Sequence, residues 1–121
     1  MPPPGESRSG AGEVLLTGIA AGPGTAVGPA RIIAGPDDFG CFRPGDVLVC
    51  RTTSPAWTPL FALACAVVTE SGGMAAHAAI LARELGIPAV VAAAGAMTTL
   101  TEDEPVRVDG THGQVRTGRP R

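Results

Sequence analysis

Hydrophobic positions occur in short runs separated by turn residues, a pattern typical of a domain with many short elements. Residues 13–33, EVLLTGIAAGPGTAVGPARII, alternate aliphatic runs with glycines and predict two strands joined by a glycine-bearing bend. Pro44 and Gly45 predict a turn, and Asp46–Cys50 the strand after it. Near the other end, valines alternate with polar residues on both sides of a turn at 109–113, which predicts a terminal hairpin.

The middle of the chain changes to a helical period. Ser54 is a suitable cap for a helix whose first position is Pro55. The predicted inner face of this helix consists of Leu60, Phe61, Leu63 and Ala64. A strand pattern returns at Ala66–Val68.

A second helix is predicted at 75–85, between a Gly72-Gly73 turn and a C-terminal cap at Gly86. Its predicted buried stripe consists of Ala78, Leu81, Ala82 and Leu85. Arg83 and Glu84 fall on the opposite side of the helix. The unbroken apolar run PAVVAAA at 88–94 then predicts a strand that is buried on both faces.

These elements follow in the order β, β, β, α, β, α, β, β, β, which predicts an α/β fold. We expect a parallel core with right-handed crossovers, flanked by an antiparallel layer that the two chain ends supply. We also expect one domain at 13–117, between flexible tails at 1–12 and 118–121, because the tails have little to bury.

Composition and charge narrow the classes of partner. The 121 residues are 45% hydrophobic but only 3% aromatic, so the core must be mainly aliphatic. A formal net charge of -2, without a basic stripe, argues against a nucleic-acid partner. We see no signal segment or membrane span, and Cys41, Cys50 and Cys65 lack the spacing of a metal site. We therefore expect free thiols, a cytoplasmic location and no membrane partner.

The Gly72-Gly73 turn lies where a strand leads into a helix. Consecutive glycines let backbone N–H groups converge there, and the first helical turn adds unpaired donors and the positive end of its dipole. Such a place binds anions, phosphate in particular. His77 lies in that first turn, so a phosphoryl group on its ring could fold back onto those donors.

Imidazole suits a covalent phosphoryl carrier, because a large part of it is uncharged near neutral pH and one ring nitrogen is then free to attack phosphorus. The residues alone leave a second interpretation open, in which His77 is a partly buried histidine that satisfies a carbonyl group. No metal site is expected, because His112 lies in a separate turn and no thiol or carboxylate pairs with His77 at helical spacing.

A longer motif surrounds this histidine. It reads Gly72-Gly73-x-x-x-His77-Ala78-Ala79-Ile80, then Ala82-Arg83, then Gly86-Ile87-Pro88-Ala89-Val90-Val91. The motif closely resembles the phosphohistidine swivelling, or mobile, domain of the phosphoenolpyruvate-utilising enzymes, which include phosphoenolpyruvate synthase, pyruvate phosphate dikinase, enzyme I and the rifampicin phosphotransferases. GIAAGPGTAVGPA and VRVDGTHGQV are similar to the family's first and last strands, so the resemblance covers nearly the whole ordered chain.

The resemblance implies a three-layered β/β/α fold with a mainly parallel central sheet and a histidine that swings between two distant sites. By motif position His77 is the phosphorylated residue, and Gly72 and Gly73 form the turn beneath it. Arg83 matches the motif arginine. It either contacts phosphate or pairs with a local carboxylate such as Glu84, and we favour the second, structural role.

Two threonines, Thr58 and Thr69, are candidate hydroxyl partners for the ring. An ordinary cap or strand-end residue is the alternative for each of them.

The resemblance also implies partners. An ATP-grasp nucleotide-binding domain, or a phosphoenolpyruvate-binding barrel, would load the histidine, and pyruvate or another small molecule or carrier would receive the group. The sequence has no P-loop and no acidic cluster for Mg²⁺. We therefore expect no cofactor on this domain, and Mg²⁺ with ATP or phosphoenolpyruvate on partner domains, in trans or in a longer parent chain.

One departure from the motif bears on function. The family usually carries Ser, Thr or Cys just before the histidine and often Thr one position earlier, where this chain has Ala75 and Ala76. The change removes a hydroxyl that could orient the ring or the phosphate. It supports an alternative function, a non-catalytic interaction or regulatory module that docks to an ATP-grasp-type partner. Retention of His77 favours the carrier.

Overall fold

The computed structural model describes residues 13–52, 57–72 and 75–118. Within these ranges the strands are β1 (Val14–Thr17), β2 (Ile19–Gly22), β3 (Thr25–Ile32), β4 (Val47–Cys50), β5 (Ala66–Thr69), β6 (Ala89–Val91), β7 (Pro105–Asp109) and β8 (Gln114–Thr117). The α-helices are α1 (Thr58–Leu63), α2 (Ala75–Leu85) and α3 (Ala96–Thr99), and a 3₁₀-helix covers Pro36–Cys41.

Neighbouring strands are hydrogen-bonded in the order β1-β8-β7-β3-β4-β5-β6-β2. Strand β3 belongs to two sheets, because Thr25–Pro29 pair antiparallel with β7 whereas Ala30–Ile32 pair parallel with β4. Strands β4, β5 and β6 continue the parallel arrangement, and β2 closes their far edge antiparallel. Strands β1, β8 and β7 form the antiparallel layer. This topology confirms the α/β fold with a mainly parallel central sheet and a second layer from the chain ends.

Alternate residues of the central strands serve two different cores, because successive side chains of a strand point to opposite faces. The core between the two β layers contains Val47, Val49, Val68 and Val90 with Val106, Val108 and Val115. The core between the central sheet and the helices contains Leu48, Val67 and Val91 with Phe61, Ala78 and Ala82. The domain is therefore layered β/β/α, and β4, β5 and β6 are apolar at every position except Thr69.

The amino-terminal segment forms three strands rather than the predicted two. Gly18 separates β1 from β2, and the two strands then join opposite edges of the sheet order. A Cβ atom at Gly18 would lie 2.5 Å from the Val91 carbonyl oxygen, and the Gly18 N–H donates to the Gly113 carbonyl oxygen at 2.8 Å. The separation depends on this close approach to distant strands, which an aliphatic run with glycines does not reveal.

The prediction for α2 is confirmed at both ends. The helix ends at Leu85, and Gly86 adopts the left-handed conformation at φ 74°, as a C-terminal cap requires. The buried stripe was wrong at Leu85, which is 43% exposed, and the inner face of α1 was wrong at Leu63, which is 41% exposed. Both are the last residues of their helices. The predicted cap at Ser54 and Pro55 lies outside the described residues.

The strand predicted at 88–94 is shorter than expected. It ends at Val91, because Ala92 has a positive φ of 57° and the chain turns into α3. The sequence pattern does not predict α3 or the 3₁₀-helix at Pro36–Cys41, since four to six residues are too few to show a helical period. Of the predicted tails, Gly118 alone is described, and its N–H donates to the Pro105 carbonyl oxygen at 2.9 Å.

All three cysteines are free thiols. Cys41 is exposed, whereas burial raises the pKa of the Cys50 thiol to about 12 and also raises the pKa of Cys65. Of the helices in the described ranges, none has the length and apolar character needed to cross a bilayer.

The turn after β7 generates a first prediction, because Gly110 lies against the backbone of β2. Its N–H donates to the Gly24 carbonyl oxygen at 2.8 Å, and a Cβ atom there would overlap the Gly22 carbonyl oxygen. We expect Gly110→Ala to lower the free energy of unfolding by about 1–3 kcal/mol, because backbone must move to admit the methyl group. Urea unfolding measures this. Gly40→Ala is the matched control, since a Cβ atom at Gly40 would meet nothing within 4 Å.

A pH-dependent prediction follows from Asp109, whose carboxylate holds the same turn. Burial alone would raise its pKa, but hydrogen bonds from the His112 side chain and from the backbone of His112 and Thr111 outweigh burial and keep the pKa of Asp109 below 3.8. A lowered pKa stabilises the fold above the unfolded-state value, and this stabilisation disappears as the pH falls through the folded-state value. Urea midpoints should therefore show Asp109→Asn to be more destabilising at pH 7 than at pH 3. An equal effect at both pH values would contradict the charge-based explanation.

Candidate functional site

The candidate site lies at the carboxyl edge of the parallel strands. Strands β4, β5 and β6 run in the same direction, so the segments that follow them meet at one edge of the sheet. The Ser71 N–H donates to the Arg51 carbonyl oxygen at 2.7 Å, and the Ala93 N–H donates to the Thr69 carbonyl oxygen at 2.9 Å. These bonds hold together the exits of all three strands, beside the start of α2.

His77 is the third residue of α2 and is partly buried. Its ring meets the ring of Phe61 edge to face, with centroids 6.5 Å apart and an interplanar angle of 67°. The Nδ1 atom is fully buried, and no residue in the described ranges forms a hydrogen bond with it. One ring nitrogen is thus closed to any incoming group, and α1 and α2 together fix the ring.

The predicted glycine turn is described only in part. Gly72 is exposed and follows the exit of β5, whereas Gly73 lies outside the described residues. A Cβ atom at Gly72 would lie 3.5 Å from the Ala92 Cβ, an ordinary contact, so steric crowding does not demand glycine there. The role of both glycines in phosphate binding stays a prediction. Its physical basis is the set of N–H groups in the first turn of α2, which have no acceptor within the helix.

Thr58 lies in the helical layer with His77 and Thr69 at the end of β5 in the central sheet, and neither forms a hydrogen bond with Nδ1. Thr69 is buried, and its hydroxyl donates to the Ser71 carbonyl oxygen at 3.0 Å. Thr58 is the first residue of α1 and is exposed. Nδ1 has no partner among the described residues, so a hydroxyl partner for the ring stays a prediction at Nε2 or at a bound phosphate.

Arg83 connects α2 to the sheet. Its Nε donates to the Ala21 carbonyl oxygen of β2 at 3.0 Å. This is a structural contact, but its acceptor is a backbone carbonyl group and not the local carboxylate, such as Glu84, that the sequence suggested. The side chain also lines an open cleft of about 320 Å³, together with Gly22 at the end of β2 and Gly110 in the turn after β7. A phosphate contact by Arg83 stays a prediction.

Glu70 is a site residue that the sequence reasoning missed. It follows β5 directly, its Oε2 accepts a hydrogen bond from the Met97 N–H at 3.1 Å, and its Oε1 lies 4.0 Å from the Arg51 Nε. The carboxylate therefore ties the exit of β5 to α3. The sequence feature that could have identified Glu70 is its position, as a carboxylate residue directly after a strand predicted to be buried. In the part of the chain described here, no three His, Cys, Asp or Glu side chains lie together as a metal site.

A three-layered β/β/α domain with a partly buried histidine at a helix start, beside the carboxyl edge of a parallel sheet, defines the swivelling class of α/β domain. Residues 42–113 match the family described as the PEP-utilising enzyme, mobile domain. The chain belongs to this family, and the resemblance found in the sequence is confirmed.

Individual relatives agree with this assignment. An uncharacterised phosphotransferase, YvkC of Bacillus subtilis, is 49% identical over 100 residues, which cover 83% of this chain and 12% of the relative. The phosphoenolpyruvate synthase of Aeropyrum pernix is 45% identical over 117 residues, which cover 96% of this chain and 14% of the relative. The solution structure of Enzyme I matches with a TM-score of 0.57 and 32% identity, over 61% of this chain and 31% of that one. The chain thus spans about a seventh or less of those two curated relatives.

The bond between Arg83 and β2 generates a prediction about α2. We expect Arg83→Met to lower the free energy of unfolding by about 1 kcal/mol, because the Ala21 carbonyl oxygen loses its charged donor while the aliphatic stem is kept. Urea unfolding measures the change. Glu84→Gln, at the exposed neighbouring position, is the control and should be neutral. If Arg83→Met were equally neutral, the hydrogen bond would not contribute to holding the helix.

Proposed function

We propose that this chain is a phosphoryl carrier that is transiently phosphorylated on Nε2 of His77. The observation that carries the proposal is the burial of Nδ1 in a ring that is itself only partly buried, at the start of a helix. Since Nδ1 is enclosed, Nε2 is the nitrogen left to accept a phosphoryl group. The family assignment supports a phosphotransferase component, and the relatives named above are a phosphotransferase and a phosphoenolpyruvate synthase.

The proposed reaction needs the neutral tautomer of His77 that carries its proton on Nδ1. The lone pair of Nε2 attacks phosphorus, a P–N bond forms, and the P–O bond to the donor breaks with its electron pair leaving on the donor oxygen. Transfer to an acceptor is the reverse process, in which an acceptor oxygen displaces Nε2. Both directions benefit from backbone N–H donors at the start of α2, because they stabilise charge on the moving group without a general base.

Packing would orient the ring in this carrier. Phe61 meets one edge of the imidazole, and Ala78 in the next position is buried against the central sheet. The ring is therefore held from α1 and from its own helix, which reduces the need for the hydroxyl that the family often places at Ala76. We infer that the departure at Ala75 and Ala76 slows transfer rather than abolishing it.

The proposed partners follow from the relatives' length. Six-sevenths or more of each curated relative lies outside the segment that matches this chain, which leaves room for donor and acceptor domains. We propose an ATP-grasp domain or a phosphoenolpyruvate-binding barrel as the donor, with Mg²⁺ and the nucleotide or phosphoenolpyruvate bound there. Pyruvate or another small molecule is the proposed acceptor.

The chain has only two histidines, which allows a direct test. Each single variant, His77→Ala and His112→Ala, is incubated with ³²P-phosphoramidate, a small donor that needs no partner enzyme, and initial rates of acid-labile, alkali-stable label are compared. In folded protein we expect label to form at least about tenfold faster in His112→Ala than in His77→Ala, because only His77 lies beside helical N–H donors. In 8 M urea the two rates should become equal.

The measurement in urea is the control for the intrinsic reactivity of the two histidines. In the folded protein the His112 side chain is 70% exposed, so the donor can reach it and poor access would not explain a slow rate. Equal rates in the folded variants would remove the evidence for a special histidine. That outcome would favour the non-catalytic docking module, which needs the fold but no reactive ring.

A further inference from the structure

Glu70 holds the start of the segment between β5 and α2 from the face of the central sheet that is opposite α2. Successive residues of a strand point to opposite faces, and Val68 lies in the core between the two β layers, so Glu70 points to the same side. Ala96 and Leu100 of α3 belong to that core as well, whereas α2 packs against the other face. The Glu70 side chain therefore leaves the space beside α2 open.

Backbone hydrogen bonds fix the chain directly after β5. The Glu70 N–H donates to the Cys50 carbonyl oxygen at 2.9 Å, and the Ser71 N–H donates to the Arg51 carbonyl oxygen at 2.7 Å. These two bonds continue the pairing of β5 with β4. Gly72 follows at once, and with it begins the turn that leads towards the histidine helix.

The Glu70 carboxylate adds a restraint in a different direction. Its Oε2 accepts a hydrogen bond from the Met97 N–H at 3.1 Å, and the side chain is only 21% exposed. Met97 is the second residue of α3, so its N–H has no acceptor within the helix. A carboxylate is a strong acceptor for such a group, and its loss would leave the N–H without this partner. The bond thus ties the segment after β5 to a helix that is anchored in the core.

The negative charge of Glu70 is partly offset where it lies. Its Oε1 is 4.0 Å from the Nε of Arg51, whose side chain is 76% exposed. An exposed pair at this distance contributes little to stability, but it reduces the repulsion between the carboxylate and an approaching phosphoryl group. The carboxylate can therefore anchor the segment without opposing transfer.

We propose that Glu70 is a positioning residue for phosphoryl transfer at His77. Its bond to the Met97 N–H holds the segment after β5 at one distance from α3, and this keeps the N–H groups at Gly72 and at the start of α2 in place before the phosphoryl group arrives. Donors that are already in place need no reorganisation during transfer. The inference rests on the proposed carrier function and adds to it a support from the opposite face of the sheet.

Two variants separate the hydrogen bond from the charge. Glu70→Asp keeps the charge but is one methylene too short for the Met97 N–H, whereas Glu70→Gln keeps an acceptor oxygen of the same reach without the charge. Each is made in the His112→Ala background, so that His77 is the remaining histidine, and initial rates of labelling by ³²P-phosphoramidate are measured. We expect Glu70→Asp to react at least about fivefold more slowly than the background, and Glu70→Gln to restore most of the rate.

The ³¹P chemical shift of the phosphorylated chain gives a readout that a loss of stability alone does not change. In Glu70→Asp this shift should move towards the value of the urea-unfolded chain, because fewer N–H groups contact the phosphoryl group, whereas in Glu70→Gln it should stay near that of the background. Glu84→Asp and Glu84→Gln, at an exposed position of α2, are the matched controls and should change neither quantity.

Dispersed amide spectra establish that the compared variants are folded. A background rate and ³¹P shift in Glu70→Asp, or the loss of both in Glu70→Gln, would overturn the role of Glu70 while leaving the carrier function intact. If the comparison of His77→Ala with His112→Ala showed no preference for His77, the carrier function would fail and the role of Glu70 with it.

Discussion

The close approach of α2 to the central sheet is the constraint on which the site depends. Ala78 and Ala82 are buried against the sheet, and a Cβ atom at Gly22 of β2 would lie only 3.2 Å from the Cβ of Ala82. Small residues on both surfaces therefore allow the helix axis to lie near the strands. Its first turn, with His77, is placed beside the exits of β4, β5 and β6 as a result.

The layering assigns different tasks to different surfaces. The central sheet is buried on both faces and supplies a rigid base, so the segments at its carboxyl edge can be short and still keep their positions. In the proposed carrier, backbone N–H groups meet the phosphoryl group, and aromatic packing by Phe61 orients the ring that bears it. In the proposed carrier, this division would allow a chain with Ala75 and Ala76 before its histidine to hold the ring without the hydroxyl.

Much of this arrangement follows from local patterns in the sequence. The bounds of α2 and the cap at Gly86 are set by residues that are neighbours in the chain, and the motif around His77 identifies the family directly. The separation of β1 from β2 depends instead on contacts between Gly18 and strands that are distant in sequence. The exposure of Leu63 and Leu85, each the last residue of its helix, depends on tertiary packing, which a helical wheel does not contain.

At the candidate site, too, features set by neighbouring residues in the chain were predictable, whereas features set by tertiary packing were not. The position of His77 at a helix start was predictable, whereas the enclosure of its Nδ1 and the contact with Phe61 require the packing of α1 on α2. The cross-strand pairing of Arg107 with Arg116 was not predictable either, because the two residues become neighbours only through the register of β7 and β8.

The most direct test of the central claim is the identity of the phosphorylated nitrogen. Long-range ¹H–¹⁵N correlation and ¹⁵N–³¹P coupling, recorded on chain phosphorylated in the folded state, assign phosphorus to one atom of one ring. Because Nδ1 of His77 is enclosed, we predict coupling between phosphorus and Nε2 of His77. We also predict that Nδ1 carries a proton that exchanges slowly with solvent. Phosphorus on Nδ1 of His77, or preferentially on His112, would contradict the account.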